Sequence, residues 1–261
     1  MRKHVIRSAA VLAVAAILAA APGARAEEWG GVKGQVVWAG GDAPARDKLK
    51  VDKDQDACLK NGDLLSEKFV VDPKSKGVRW VVVWLIDPKK PTAAIPIAPA
   101  LKSIKDKKLS LDQPTCMFEP HVLAIRQGQE VDFKNTAKVP HNINLVKPVV
   151  GPNLNQIIPP GKSLLVSTFK PTGTTPVNVS CTIHGWMKGY IWVFPHPYFA
   201  VTDAEGNFEI KDAPAGTYNL VVWQESTGWV APPAKPDRKG MPIGIKPNAV
   251  TDLGVIPLKP S

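Results

Sequence analysis

Apolar residues in this chain fall into short alternating runs, and no stretch of useful length shows the 3.6-residue period of an amphipathic helix. Ten runs read as strands: 32-VKGQVVW-38, 78-VRWVVVWLI-86, 121-HVLAIR-126, 130-EVDFKN-135, 163-SLLVSTF-169, 176-PVNVSC-181, 189-GYIWVF-194, 207-NFEIK-211, 217-TYNLVVWQ-224 and 251-TDLGVIPL-258. Turn chemistry separates them at Gly128, 159-PPG-161, 171-PTG-173, 203-DAEG-206 and 214-PAG-216. Many short strands with frequent turns predict an all-β chain built as sandwiches or barrels. Two stretches rich in proline and lysine, 87-DPKKPTAAIPIAPALKSIKDKKLS-110 and 231-APPAKPDRKGMPIGIKPN-248, read as long exposed loops.

The first residues follow a different pattern. Arg2, Lys3 and Arg7 precede the apolar run 8-SAAVLAVAAILAAA-21, which ends at the small-x-small site 24-ARA-26. This predicts a secretory signal peptide over 1–26, cut after Ala26, because the run is too short to span a bilayer comfortably. No other segment is long and apolar enough to span, so an exported protein, periplasmic or secreted, without stable membrane insertion is expected. Loss of Arg2, Lys3, Arg7 and Arg25 lowers the formal charge from +10 to +6. The remaining basic residues are scattered, with Lys102, Lys105, Lys107 and Lys108 the densest group. The absence of a basic stripe with interleaved aromatics counts against nucleic-acid binding. A modest pull toward acidic protein partners remains. The remaining length suits one large all-β domain or two small ones, and 26 prolines and 20 glycines favour turns over helices.

The candidate chemistry lies in 178-NVSCTIHGWMKGYIWV-193, where Cys181, His184 and Met187 are three residues apart. A thiolate, imidazoles and a weak thioether make the trigonal copper site used for electron transfer, but two histidines are needed. The second is available in 133-FKNTAKVPHNINL-145, where His141 follows a proline and precedes a predicted strand. Taken singly, a buried cysteine or methionine is ordinary core. Their joint occurrence with two histidines favours ligation. Zinc fits less well, because methionine is a poor zinc ligand and structural zinc sites use more cysteines.

The span from about Met117 to Val193 resembles the cupredoxins, the blue-copper fold. The stretch 118-FEPHVLAIRQGQEVDFKNTAKVPHN-142 follows that family's F-x-P, V-x-x-G-x-x-V-x-F-x-N and then histidine. The stretch 160-PGKSLLVSTFKPTGTTPVNVSCTIHGWMKGYIWV-193 follows its P-G-x, phenylalanine strand and C-x-x-H-x-x-M-x-G-x-I-x-V. The two-residue gap between His184 and Met187 is most similar to the amicyanin branch. The resemblance implies a Greek-key β-sandwich over 115–195 and one copper per chain. The implied ligands are His141, Cys181, His184 and axial Met187. Asn142 and Thr182, each following a ligand, are implied to hydrogen-bond to each other and fasten the two ligand loops. Trp186 is expected on a partly exposed loop, either packing that loop or forming part of an apolar docking patch around the edge of His184.

The tail 199-FAVTDAEGNFEIKDAPAGTYNLVVWQE-225 resembles a carboxypeptidase regulatory-like domain, a small transthyretin-like β-sandwich, through T-D-x-x-G-x-F and P-x-G-x-Y-x-L. That family's opening valine strands correspond to 31-GVKGQVVW-38 and 78-VRWVVVWLI-86, far upstream. A discontinuous domain is therefore expected, with parts at 30–90 and 197–259 and the copper domain between them. A rival layout gives strand 78–86 to the copper sheet. The second domain carries no catalytic constellation and is expected to serve as scaffold or docking surface.

Of the three cysteines, Cys58 and Cys116 are expected to pair as a disulfide, as suits an exported protein. The alternative is a second metal or redox site formed by Cys116 and His121. His121, opening a predicted strand, reads as structural. His196 reads as a loop residue between domains. The function expected is a copper electron carrier, cycling between Cu(I) and Cu(II) with a dehydrogenase, cytochrome or oxidase as redox partner. The alternative is a copper-binding module for delivery, storage or sensing. An enzyme is not expected: no His-x-His pair of the multicopper oxidase kind and no G-x-S-x-G occurs.

Overall fold

The computed structural model describes residues 28–146, 153–230 and 238–259. The expected signal peptide lies outside the described residues. The elements in the first third are β1 (Trp29–Trp38), α1 (Gln55–Cys58), β2 (Val70–Val71), β3 (Val78–Arg79), β4 (Val82–Ile86), α2 (Pro99–Lys102) and β5 (Lys108–Leu111). The middle holds β6 (Val122–Arg126), β7 (Glu130–Asn135), β8 (His141–Val146), β9 (Leu154–Ile158), β10 (Lys162–Val166), β11 (Val177–Ser180) and β12 (Lys188–Phe194). The last part holds β13 (Phe199–Val201), β14 (Asn207–Pro214), β15 (Gly216–Gln224), β16 (Gly228–Val230), β17 (Met241–Ile245) and β18 (Val250–Leu258). Among the described residues the chain is all-β apart from two single-turn helices.

The strands make two sandwiches. One pairs the sheet β6-β12-β11-β8-β9 with the sheet β10-β7-β5. Leu111, Ile125, Phe133, Ile143, Val179 and Ile191 fill its core. The other pairs β14-β1-β18 with β13-β4-β15-β16, where β17 also pairs with β15. Val36, Leu85, Phe208, Leu220, Val222 and Ile256 fill this second core.

Period-2 alternation explains how the two sandwiches meet. In β12, Ile191 and Val193 face their own core, while Trp192 and Phe194 point outward and are also buried. In β4, Val83 and Leu85 face inward, and Val82 and Trp84 face out; β15 does the same with Leu220 and Val222 against Val221 and Trp223. The outward residues form a third cluster between the sandwiches. The Trp192 ring lies 4.9 Å from Trp84 and 5.2 Å from Trp223. Strands buried on both faces read as continuous apolar runs, as 82-VVWLI-86 and 191-IWVF-194 do.

Three expectations need correction. The run 78–86 is two strands, because Trp80 takes a left-handed backbone (φ 66°) between β3 and β4; β4 pairs with β13 and β15. The stretch 87–110 is not wholly an exposed loop: Ile95 and Ala98 are buried, and β5 pairs with β7, so this sandwich begins before residue 115. Within 231–248, β17 pairs with β15 and buries Ile243 and Ile245. In both stretches, two apolar residues at strand spacing suffice where lysine and proline hide the pattern. Among the described residues, no helix is long and apolar enough to cross a membrane.

Candidate metal centre

Strands β8 and β11 are antiparallel neighbours, with Ser180 opposite Asn144. The start of β8 and the end of β11 therefore lie at the same end of the sheet. His141 opens β8, and Cys181 follows β11 immediately. The connection from β11 to β12 turns tightly over 181–187: the Met187 amide donates to the His184 carbonyl (3.0 Å) and the Cys181 amide to the Met187 carbonyl (3.3 Å). This turn carries His184 back over Cys181.

The three side chains converge. His141 Nδ1 lies 2.9 Å from His184 Nδ1, and Cys181 Sγ lies 4.0 Å from each. All three are buried, and their donor atoms lie within 4.8 Å of one another. Met187, also fully buried, sits on the same loop within the same apolar cluster as Cys181. Burial, reinforced by His184 and opposed by Asp54, pushes the His141 imidazole down to about 4. Its neutral form, the form that binds metal, therefore prevails near neutral pH. One soft sulfur with two imidazoles suits copper and does not suit magnesium or calcium, which take oxygen ligands.

Asn142 joins the two ligand loops. Its Oδ1 accepts from the Thr182 amide (2.7 Å), the Ile183 amide (3.3 Å) and the Cys181 thiol (3.1 Å). Its Nδ2 donates to Asn155 Oδ1 at 2.6 Å. The bond expected between Asn142 and Thr182 runs to the Thr182 main chain, and the Thr182 side chain is exposed.

Sequence reasoning missed Asp54. Its Oδ2 accepts from His184 Nε2 at 2.8 Å. Asp54 takes a left-handed backbone (φ 50°) at the start of α1, and α1 is tied down by a Cys58–Cys116 disulfide. Trp186 donates its indole N–H to the Cys116 carbonyl at 3.0 Å, and its ring lies 5.0 Å from that of His184. The edge of His184, expected to be exposed, is instead covered, and the residue has no exposed surface. The covering segment arrives from some 130 residues upstream, and nothing in the local sequence at 178–193 signals it.

Two other histidines lie elsewhere. His121 pairs with Glu225 across the junction of the sandwiches (2.7 Å) and does not join Cys116, whose sulfur is in the disulfide. His196 is buried between β12 and β13, with Phe194 and Tyr198 stacked on it.

No known protein family model matches the chain, and no curated protein matches it. Among solved structures, part of the chain is similar to a copper-containing nitrite reductase from Thermus scotoductus SA-01, with 22% identity over 38% of this chain and a TM-score of 0.31. The matched region spans only 25% of the reductase. A mutant of amicyanin in its reduced state is similar at 20% identity, over 43% of this chain and 98% of amicyanin, with a TM-score of 0.31. A purple cupredoxin from Nitrosopumilus maritimus is similar at 21% identity, over 33% of this chain and 98% of that protein, with a TM-score of 0.29.

Proposed function

We propose that this is an exported, mononuclear type 1 copper protein that carries electrons singly between redox partners. The observation carrying the proposal is the convergence of one thiol and two imidazole Nδ1 atoms in a buried site. His141, Cys181 and His184 would hold the copper, with Met187 as the weak axial donor. Copper bound by such a set supplies one-electron chemistry by passing between Cu(I) and Cu(II). The chain's own residues supply the rigidity. Asn142 fixes the Cys181 loop against the start of β8, and Asp54 holds the His184 ring with its Nδ1 turned inward. Burial keeps water from the donors, so the same cage serves both oxidation states.

In this reading the second sandwich, built from both ends of the chain, is a scaffold and docking surface, and the copper sandwich is inserted in it. Its partners are a dehydrogenase, cytochrome or oxidase, and the leader 1–26 directs export. Delivery of copper to another protein fits less well with donors that are all buried and with Asp54 over His184.

The test is the visible absorption and electron paramagnetic resonance spectrum with one equivalent of Cu(II), beside Cys181→Ser. The expected result is an intense thiolate-to-copper band with narrow hyperfine splitting, lost in the variant, and reversible voltammetry. A weak, ordinary Cu(II) spectrum indifferent to Cys181 would refute the reading.

A further inference from the structure

A cleft of roughly 390 Å³ opens where several separate segments meet, and His121, Glu67, Glu225, Tyr190 and Trp186 line it. His121 comes from the residue before β6, Glu67 from the segment that follows the Asp54 cap, and Glu225 from the turn between β15 and β16. Their side chains are only 5%, 19% and 10% exposed, respectively.

Proton bookkeeping defines the centre. His121 donates its Nε2–H to Glu225 Oε2 at 2.7 Å, and Glu225 Oε1 accepts from the Tyr190 hydroxyl at 3.0 Å. With the proton held on Nε2, Nδ1 presents a lone pair. That atom is buried and has no hydrogen-bond partner. It faces Glu67 Oε2 at 4.0 Å, so an imidazole lone pair and a carboxylate oxygen face each other. The separation is too long for a hydrogen bond. Two metal–ligand bonds of ~2.1 Å at a tetrahedral angle span about 3.4 Å, so the Glu67 carboxylate needs to close by about 0.6 Å to share an ion with Nδ1. A histidine that ligates metal through one nitrogen commonly donates the other N–H to a carboxylate, as His121 does to Glu225. The cleft's two lysines, Lys68 and Lys188, are exposed and pair with neither carboxylate.

We infer that this cleft is a second cation site, separate from the thiolate centre. It takes a first-row divalent ion on His121 Nδ1 and the Glu67 carboxylate. Glu225, held by Tyr190, orients the imidazole, and water completes the coordination. An imidazole with a carboxylate suits ions of borderline hardness such as Zn(II). The site joins the cap, the copper sandwich and the flanking sandwich, so an ion there ties all three together. Gly185 and Trp186 of the ligand loop line the same cleft, and the Trp186 ring lies 5.0 Å from that of His184. An occupied site therefore lies against the loop that carries the thiolate centre.

The test is calorimetric titration of the copper-loaded protein with ZnCl₂ at neutral pH, alongside Glu67→Gln and Glu225→Gln. One equivalent of zinc should bind with the visible copper band retained. Glu67→Gln should weaken binding at least tenfold, and Glu225→Gln by about tenfold, the usual effect of losing a group that orients a ligand. Both variants are isosteric and leave His121 in place; a surface control, Glu209→Gln, should bind as wild type. In metal-free protein zinc can also enter the thiolate centre, so there wild type and Glu67→Gln are compared for the loss of one binding event, whether or not that centre takes copper. Absence of zinc binding, binding only with loss of the copper band, or an affinity indifferent to Glu67→Gln would each overturn the inference.

Discussion

His184 donates its Nε2–H to the carboxylate of Asp54 at 2.8 Å, joining residues 130 apart in the chain. The bond has two consequences. It sets the tautomer of His184, leaving Nδ1 as the lone-pair nitrogen beside Cys181 and His141. It also closes the outer edge of the ring, and His184 has no exposed surface. The carboxylate is one-third exposed, so the lid is thin, but it places a negative charge one imidazole away from the metal position.

Asp54→Ala should therefore raise the reduction potential of the copper-loaded protein. A nearby anion stabilises the more positive Cu(II) form. At a partly exposed position such a pair contributes about 1 kcal/mol, which for one electron is ~40 mV. Electron exchange with a small soluble oxidant should quicken, because the ring edge is uncovered. Voltammetry and stopped-flow mixing check both, and an unchanged potential would mean that Asp54 does not act on the site.

The lid depends on the disulfide between Cys58 and Cys116, whose sequence separation is 58. A loop of that length restricts the unfolded chain enough to contribute about 4 kcal/mol. Replacing both cysteines by serine should lower the thermal midpoint by about 10 °C. Hydrogen exchange should quicken first in 48–66, while amides of β11 and β12 remain protected. Equal loss of protection throughout would show that the lid and sandwich unfold as one unit.

Alternation made most of the strands legible: β7 has the bounds of the apolar run at 130–135, and β12 differs from its run by one residue. The site was half legible. Cys181, His184 and Met187 share one loop, so their spacing is visible, and His141 is marked by its flanking proline. Asp54 was not legible, because 54-DQDAC-58 reads as an ordinary polar segment until the disulfide carries it over His184. Glu225 was hidden likewise, since it meets His121 only when the two sandwiches dock, and Glu67 faces His121 only through the fold of the segment after the cap. β5 and β17 were obscured because their sheets supply most of the pairing, while their own sequences offer only Leu109 with Leu111 and Ile243 with Ile245.

The buried His196 gives stability a pH dependence independent of the metal site. Burial, with Arg126 adding to it against two backbone hydrogen bonds, pushes its imidazole from 6.5 down to about 4. Between those values the unfolded chain binds a proton that the folded protein refuses. Stability is therefore full above pH 6.5 and falls as the pH drops toward 4, by about 3 kcal/mol in all. His196→Gln retains an acceptor for the Tyr198 amide, which His196 Nδ1 now serves at 3.2 Å. Urea midpoints measured from pH 7 to 4 should fall less steeply in the variant. Identical slopes would mean that other groups set the acid limb.

Asn142 offers the sharpest separation of fold from site. Its single carbonyl oxygen accepts from the amides of Thr182 and Ile183 and from the Cys181 thiol, so one atom sets the distance between the two ligand loops. Asn142→Leu removes the acceptor while filling the space, and strands two amides in a partly buried turn at a cost of about 2 kcal/mol. The thermal midpoint should fall by about 6 °C. The hyperfine splitting of the Cu(II) form should also widen as Cys181 gains freedom. Asn142→Asp restores the acceptor but sets a carboxylate oxygen against Asn155 Oδ1, so it should recover part of the lost stability, and its added charge should lower the copper potential. The stability of the Asn142→Asp variant thus reports the loop clamp, and its potential reports the proximity of the clamp to the metal. If Asn142→Leu left both the midpoint and the spectrum unchanged, the clamp would have no part in holding the ligands, and the rigidity of the site would have to come from the β8–β11 pairing, the 181–187 turn and Asp54.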